Sequence, residues 1–287
     1  MDNDFQKKLS LPATPGARKP RGWISRSWYL LAFPFILFIA IPLLAMFLRL
    51  SPYDFWQTLR QDQALTAIRI SLFTSISTVG ISLLLGTPVA YLLSRRRNRL
   101  SRIIDTLIDL PIVLPPAVAG VALLIAFGRR GILGIWLAPL GISLPFTTAA
   151  VIMAQTFVAA PLYIKAATLG FDAVDCELRK AAALDGANRW QAFRYVMFPM
   201  ARSSILSGSL MTWARAMGEF GATIIFAGNF PGRTQTMPLA IYLGFEIDMN
   251  VALTLSVILI SFAFLTLILV KGFLHKKVET GMEEYYD

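Results

Sequence analysis

Apolar positions gather into six long runs, at about 28–48, 68–93, 104–127, 146–169, 205–227 and 251–271, separated by shorter polar segments. Each run has the roughly 20 residues that a helix needs to cross about 30 Å of hydrocarbon. The second to fifth runs are interspersed with Gly, Pro, Ser and Thr. Small residues let helix backbones approach closely, so these read as helices packed on one another. The pattern predicts an all-α membrane protein with six transmembrane helices over residues 28–271, flanked by polar tails at 1–27 and 272–287. The N-terminal leader is too long for the charged region of a signal peptide, and the first run exceeds a signal core of about 7–15 residues, so the first helix is expected to be retained.

Composition supports the same class. Of 287 residues 56% are apolar and only 15% charged, against roughly 25% charged in globular proteins. This excludes a disordered chain and an ordinary soluble enzyme. The net charge of +10 would suggest a nucleic-acid partner in a soluble protein. In so apolar a chain it points to the lipid bilayer, because cytoplasmic loops collect Lys and Arg. The basic residues sort accordingly. Arg95, Arg96, Arg97, Arg99 and Arg102 share one side with the basic N-terminal tail, with Arg179, Lys180, Arg189, Arg194 and Arg202, and with Lys165 near the end of the fourth run. Only Arg49, Arg60, Arg69, Arg129, Arg130 and Arg233 fall on the other side, and Arg215 lies within the fifth run. Both termini are therefore expected in the cytoplasm. A single cysteine (Cys176) and a single histidine (His275) give little support to disulfide or zinc chemistry.

The cytoplasmic loop at 172–202 carries the clearest signal. A helix-forming stretch around Leu178–Ala183 stops at Gly186, which can adopt the left-handed backbone of a helix C-cap. Asn188 can then cap a short amphipathic helix with Trp190, Phe193, Val196 and Met197 on one face. Such a face needs a cover, either the lipid headgroups or another protein.

Lys180-Ala181-Ala182, then Gly186, and nine residues later Val196-x-Phe198-Pro199, resembles the "EAA" loop of ABC importer permeases. Lys180 stands where that family has Glu, and Asp185 where Leu is frequent. The fifth run and its outer end, from Arg215 and Glu219 to Pro238, are similar to the molybdate/sulfate/tungstate branch. So are the stretch Asp109–Pro116 and the sequence Gly128-Arg-Arg-Gly131. The resemblance covers roughly residues 65–270. It implies an ABC importer permease-like bundle in the cell membrane, working as a homodimer with one path at its interface. Two ATP-binding ABC subunits would carry ATP and Mg, and an extracytoplasmic anion-binding protein would deliver the solute. It further implies that the loop residues Lys180, Ala181, Ala182, Gly186, Trp190, Phe193, Val196 and Pro199 dock into the ATPase.

The residues themselves allow more than one reading of the pathway. Arg215 and Glu219, at i and i+4, can pair on one helix face, either lining a water-filled path or locking the bundle. Pro231 and the surrounding glycines predict a break at the outer end of the fifth helix, where backbone N–H groups and the hydroxyls of Thr223, Thr234 and Thr236 could meet an oxyanion, with Asn229 in the same segment. Arg233 could attract anions, dock a binding protein, or be an ordinary exposed arginine. Pro111, Pro115 and Pro116 predict a kink in the third helix, either part of a gate or a static packing feature. The chain has no Gly-x-x-x-x-Gly-Lys-Ser/Thr phosphate loop, so it is expected to bind no cofactor and to hydrolyse nothing itself. A molybdate permease is the first expectation. The alternatives are a sulfate, thiosulfate or tungstate permease, then a stand-alone anion channel or a membrane-embedded enzyme.

Overall fold

The computed structural model describes the backbone of residues 23–95 and 98–283, and side chains within 28–95 and 98–272. Residues 1–22 and 284–287 of the two expected tails, together with Arg96 and Arg97, lie outside the described residues. The chain divides into two units, Met1–Arg49 and Leu50–Asp287. The first contributes a single helix, α1 (Trp23–Arg49), whose large apolar side chains from Trp28 onward face outward within that unit.

The second unit is also all helical. In chain order it contains α2 (Pro52–Leu59), α3 (Asp62–Arg95), α4 (Arg99–Val113), α5 (Pro116–Phe127), α6 (Gly134–Leu137), α7 (Thr148–Asp172), α8 (Cys176–Leu184), α9 (Arg189–Ala192), α10 (Phe198–Met217), α11 (Gly221–Phe226), α12 (Met237–Ile247) and α13 (Met249–Glu283). Among the described residues, four helices are long and apolar enough to cross a membrane: α1, α3, α7 and α13. The bent pair α4–α5 makes up to five. The protein is thus a multi-pass bundle. Helix α10 has the length, 20 residues or about 30 Å, but Arg202, Arg215 and a set of serines lower its apolarity.

The third apolar run is where expectation and structure differ most. The bend is far sharper than a helix kink: α4 and α5 meet at 117°. Leu114 is extended (ψ 136°) because the ring of the following Pro115 excludes the helical conformation. Pro115 is itself extended (ψ 132°), and Pro116 then starts α5, where its missing N–H costs nothing. Pro111 does not mark the break. It is absorbed, buried, inside α4.

Helices α3, α7 and α10 pack at the centre, and small residues set their spacing. A Cβ added to Gly208 on α10 would stand 2.7 Å from the Ala166 Cβ on α7, and one added to Gly170 would stand 2.5 Å from the Ser204 Cβ. Helix α3 turns a buried polar stripe, Ser71, Thr74, Ser75, Thr78 and Ser82, toward its neighbours. Ser75 Oγ accepts from Trp213 Nε1 at 3.0 Å, Thr78 Oγ1 donates to Gln155 Oε1 at 3.3 Å, and Ser71 Oγ accepts from the Met237 N–H at 2.7 Å. The last bond satisfies a free N–H at the start of α12, where Thr236 makes no side-chain cap.

Gly208→Val should therefore lower stability by about 1–3 kcal/mol through overpacking, read as a fall in the melting temperature of detergent-purified protein. Gly80→Ala, at a helix position with no atom within 4 Å of the new Cβ, should leave it unchanged or slightly raised.

Candidate functional site: coupling loop and broken helices

The loop is ordered by its own backbone bonds. Helix α8 is capped by Asp175, whose side chain accepts from the Glu177 N–H at 2.9 Å. It closes at Gly186 with φ +85°, a conformation that L side chains rarely adopt. The Gly186 N–H donates to Ala183 O and the Ala187 N–H to Ala182 O, the paired bonds of a Schellman turn. Ala181 O and Ala182 O thus take closing bonds of the helix, and Lys180 points outward. Asn188 and Gln191 form a reciprocal capping box, with N–H to side-chain oxygen distances of 2.8 and 2.9 Å.

The second piece is not a separate short helix. It runs from α9 through a π turn (Phe193–Met197) directly into α10, with the Phe198 N–H bonded to Phe193 O. The extra residue in that turn falls just before Pro199, which has no N–H to give to a regular ladder. One continuous helical lever therefore joins Asn188 to Met217.

Its amphipathic face is graded. Met197 is buried, Phe193 and Val196 are half-buried, and Trp190 is 68% exposed. Phe193 sits at the centre of an aromatic cluster. Its ring lies 5.0 Å from Tyr91 on α3, 5.8 Å from Phe171 on α7, 5.6 Å from Trp190 and 6.0 Å from Phe198. These contacts tie the loop to two membrane helices. Leu178, Leu184 and Tyr195 join Trp190 on the exposed surface, and the sequence pattern did not single them out as contact residues.

At the far end of the lever, α10 stops at Gly218. Arg215 Nη1 donates to Glu219 Oε2 at 2.7 Å, while Glu219 Oε1 accepts from the Ala222 N–H at 2.9 Å. Glu219 is 1% exposed and its arginine is about one-third exposed. The carboxylate thus neutralises Arg215 and satisfies the first turn of α11, a placement that favours negative charge. Helix α11 in turn packs on α5. A Cβ on Gly221 would fall 2.6 Å from the Pro116 Cβ, and one on Gly120 would fall 2.9 Å from Ala222 O. The two broken helices thus meet, bringing Pro116 beside the Glu219 junction.

The remaining candidate residues are dispersed along the segment from 223 to 234. Thr223 is buried and its hydroxyl has no protein partner. Asn229 donates through Nδ2 to Leu239 O at 3.3 Å, while its Oδ1 stays unpartnered. Thr234 Oγ1 accepts from the Phe230 N–H and donates to Gly228 O, closing the 228–234 loop on itself. The Arg233 side chain is exposed, and its carbonyl accepts from Thr148 Oγ1 at 2.8 Å.

A second charged cluster was not anticipated. Lys165 on α7 pairs with Asp105 at 2.6 Å and Asp109 at 2.9 Å, both on α4. The signal was available in the carboxylates at i and i+4 and a lone lysine in the fourth run. Their partnership depends on the 117° fold-back of the third run. Among the described residues, no group of three His, Cys, Asp or Glu side chains could hold a metal ion.

The family of binding-protein-dependent transport system inner membrane components matches residues 82–283. The chain belongs to that family, as a permease subunit of an ABC importer in its molybdate/tungstate branch. It is 40% identical over 240 residues to the molybdenum transport system permease protein ModB of Mycobacterium tuberculosis, covering 84% of this chain and 91% of that one. It is 40% identical over 216 residues to the probable transport system permease protein NifC of Clostridium pasteurianum, covering 75% and 76%. With the molybdate/tungstate permease WtpB of Thermococcus kodakarensis it shares 38% identity over 206 residues, covering 71% and 78%. Among solved structures, a bacterial alginate ABC transporter aligns with a TM-score of 0.65 at 16% identity, covering 88% of this chain and 94% of that chain. At that identity the likeness speaks to the fold alone.

Glu219→Ala leaves both an arginine and a helix N–H without their partner, and should cost about 3 kcal/mol of stability. Glu219→Gln retains an acceptor for Ala222 and should lose clearly less. Thermal unfolding of the two purified variants checks the order. Phe193→Ala should lower stability by about 2 kcal/mol, less than the roughly 3–5 kcal/mol of a fully buried ring.

Proposed function

We propose that the chain imports a tetrahedral oxyanion, molybdate first and tungstate next, as one of two permease copies driven by two ATPase subunits and supplied by an extracytoplasmic binding protein. The observation that carries the coupling half of this reading is the lever formed by α9, the π turn and α10. It presents Trp190 and Tyr195, beside Leu184 of α8, to a partner at one end and reaches the Arg215–Glu219 junction at the other. The substrate half draws on the molybdenum transport of the related permeases, which match along most of their length.

In this reading the fold has six spans, with α4–α5 as the third and α10–α11 as the fifth, and both termini are cytoplasmic, as the arginine distribution favours. ATP binding draws the two Gly186-centred loops together. Each loop swings its α10, and the motion reaches α11 and α5 through Glu219 and Pro116. The mechanism is alternating access, with binding energy on the ATPase setting which state is populated. Thr223, Asn229, Gln235 and Thr236 each bury a polar atom without a protein partner, and these support an outer segment that can take water or an anion. Arg215, already paired, serves as a held positive potential beside the path, and Arg233 meets the delivered solute or its carrier.

Gly186→Pro forces φ from +85° to about −65°, and Trp190→Asp places a charge on the docking face. Each should abolish co-purification with the ATPase while the permease alone remains folded; intact complexes would sink the docking assignment. In proteoliposomes with the cognate binding protein, molybdate and tungstate should stimulate ATP hydrolysis at least tenfold more effectively than sulfate. Equal stimulation by sulfate would move the protein to a broader oxyanion class.

A further inference from the structure

Where α3 ends and α4 begins, Val89, Leu92 and Leu93 face Asn98, Leu100, Ser101 and Ile104 across an open cleft of about 180 Å³. That is below the roughly 300–1,000 Å³ of a site that encloses a whole small ligand, and leaves room for a short stretch of one chain. The walls are almost wholly aliphatic, and no charged residue lines them. Yet the cleft is bordered in sequence by Arg95 on α3 and by Arg99 and Arg102 on α4, all exposed. Among the described residues none of these three arginines is ion-paired. The guanidinium of Arg95 lies 5.6 Å from the centre of the Tyr91 ring.

An aliphatic cleft flanked in sequence by exposed arginines, at the end of a helix long and apolar enough to cross a membrane, matches one ligand chemistry: an acyl chain joined to a phosphate. The apolar side of α4 continues the cleft. Leu100, Ile103, Leu107 and Leu110 recur at helical spacing and are 50–61% exposed, an apolar stripe suited to contact with lipid chains. The acidic residues of α4 do not compete for the arginines, since Asp105 and Asp109 are both engaged by Lys165. Arginine can meet phosphate oxygens with two parallel hydrogen bonds, and each basic residue near a membrane adds to anionic-lipid attraction.

We propose that the α3–α4 elbow is a binding site for an anionic phospholipid, one acyl chain lying between Leu93 and Ile104 and the phosphate held by Arg99 and Arg102. The site requires that α3 crosses the bilayer, and the topology proposed above decides which leaflet supplies the lipid. Arg95, over Tyr91, connects the site to the aromatic cluster around Phe193, so lipid occupancy would bear on how firmly the coupling loop is held.

Native mass spectrometry of the detergent-purified permease, titrated with phosphatidylglycerol and with phosphatidylcholine, reads the binding directly. The wild type should retain phosphatidylglycerol about tenfold better than the zwitterionic lipid. The surface pair Arg99→Gln/Arg102→Gln should bring that ratio close to one without changing thermal stability. Ser101→Trp, which fills the cleft and keeps every arginine, should lower retention of both lipids. Undiminished phosphatidylglycerol in the arginine variant overturns the headgroup site, and undiminished binding in Ser101→Trp overturns the acyl cleft. A photo-reactive benzoylphenylalanine at Leu100, activated in native membranes, should yield lipid adducts. Protein adducts alone would show that a polypeptide occupies the elbow and would overturn the proposal. None of these readouts depends on the identity of the transported anion.

Discussion

Hydrocarbon offers no hydrogen bonds, so every helix break in this bundle must be satisfied from within the protein. Two side chains meet that constraint directly: Glu219 caps the first turn of α11 from the end of α10, and Ser71 reaches across from α3 to the start of α12. Lys165 in turn pairs with the two carboxylates of α4. Without them the breaks would leave charged or polar groups unpartnered in a low-dielectric surrounding, where each costs several kcal/mol. Breaks are what give a transport bundle movable parts. The same capping groups therefore stabilise the fold and define where it can bend.

The lever from Asn188 to Met217 turns those breaks into a connected device. At one end Phe193 is clamped among Tyr91, Phe171, Trp190 and Phe198. At the other, Arg215 and Glu219 join α10 to α11, and Gly221 rests on Pro116 of α5. The π turn keeps the helix continuous from Asn188 to Met217, with no intervening loop. The chain leaves helical geometry only beyond it, at Gly218–Phe220, and on the packed α5 side at Leu114–Pro115.

Much of this was legible in the chain itself. Gly186 and Asn188 are local signals, decided by backbone sterics and by a side chain reaching three residues ahead, so both the left-handed turn and the capping box could be read directly. The pairing of Arg215 with Glu219 follows from helical spacing. Helicity on both sides of the Pro115–Pro116 step was equally readable, whereas its angle was not. A kink and a 117° reversal have the same prolines, and only the surface against which α4 packs distinguishes them. Likewise Asn188 predicted a short helix of its own, yet the structure widens a turn before Pro199 so that α9 passes into α10.

Sequence alone thus determined the membrane class, the apolar segments, the loop and its motif, because hydropathy, caps and spacing act over one helix length or less. Tertiary structure decided which carboxylates find Lys165, which hydroxyl caps α12, and that the two broken helices touch. It also decided that Glu219 bonds a backbone N–H as well as an arginine, and that Thr234 closes its own loop. The first three of those outcomes join residues tens of positions apart, and in all of them a side chain's role is set by what the fold brings within hydrogen-bonding or contact distance.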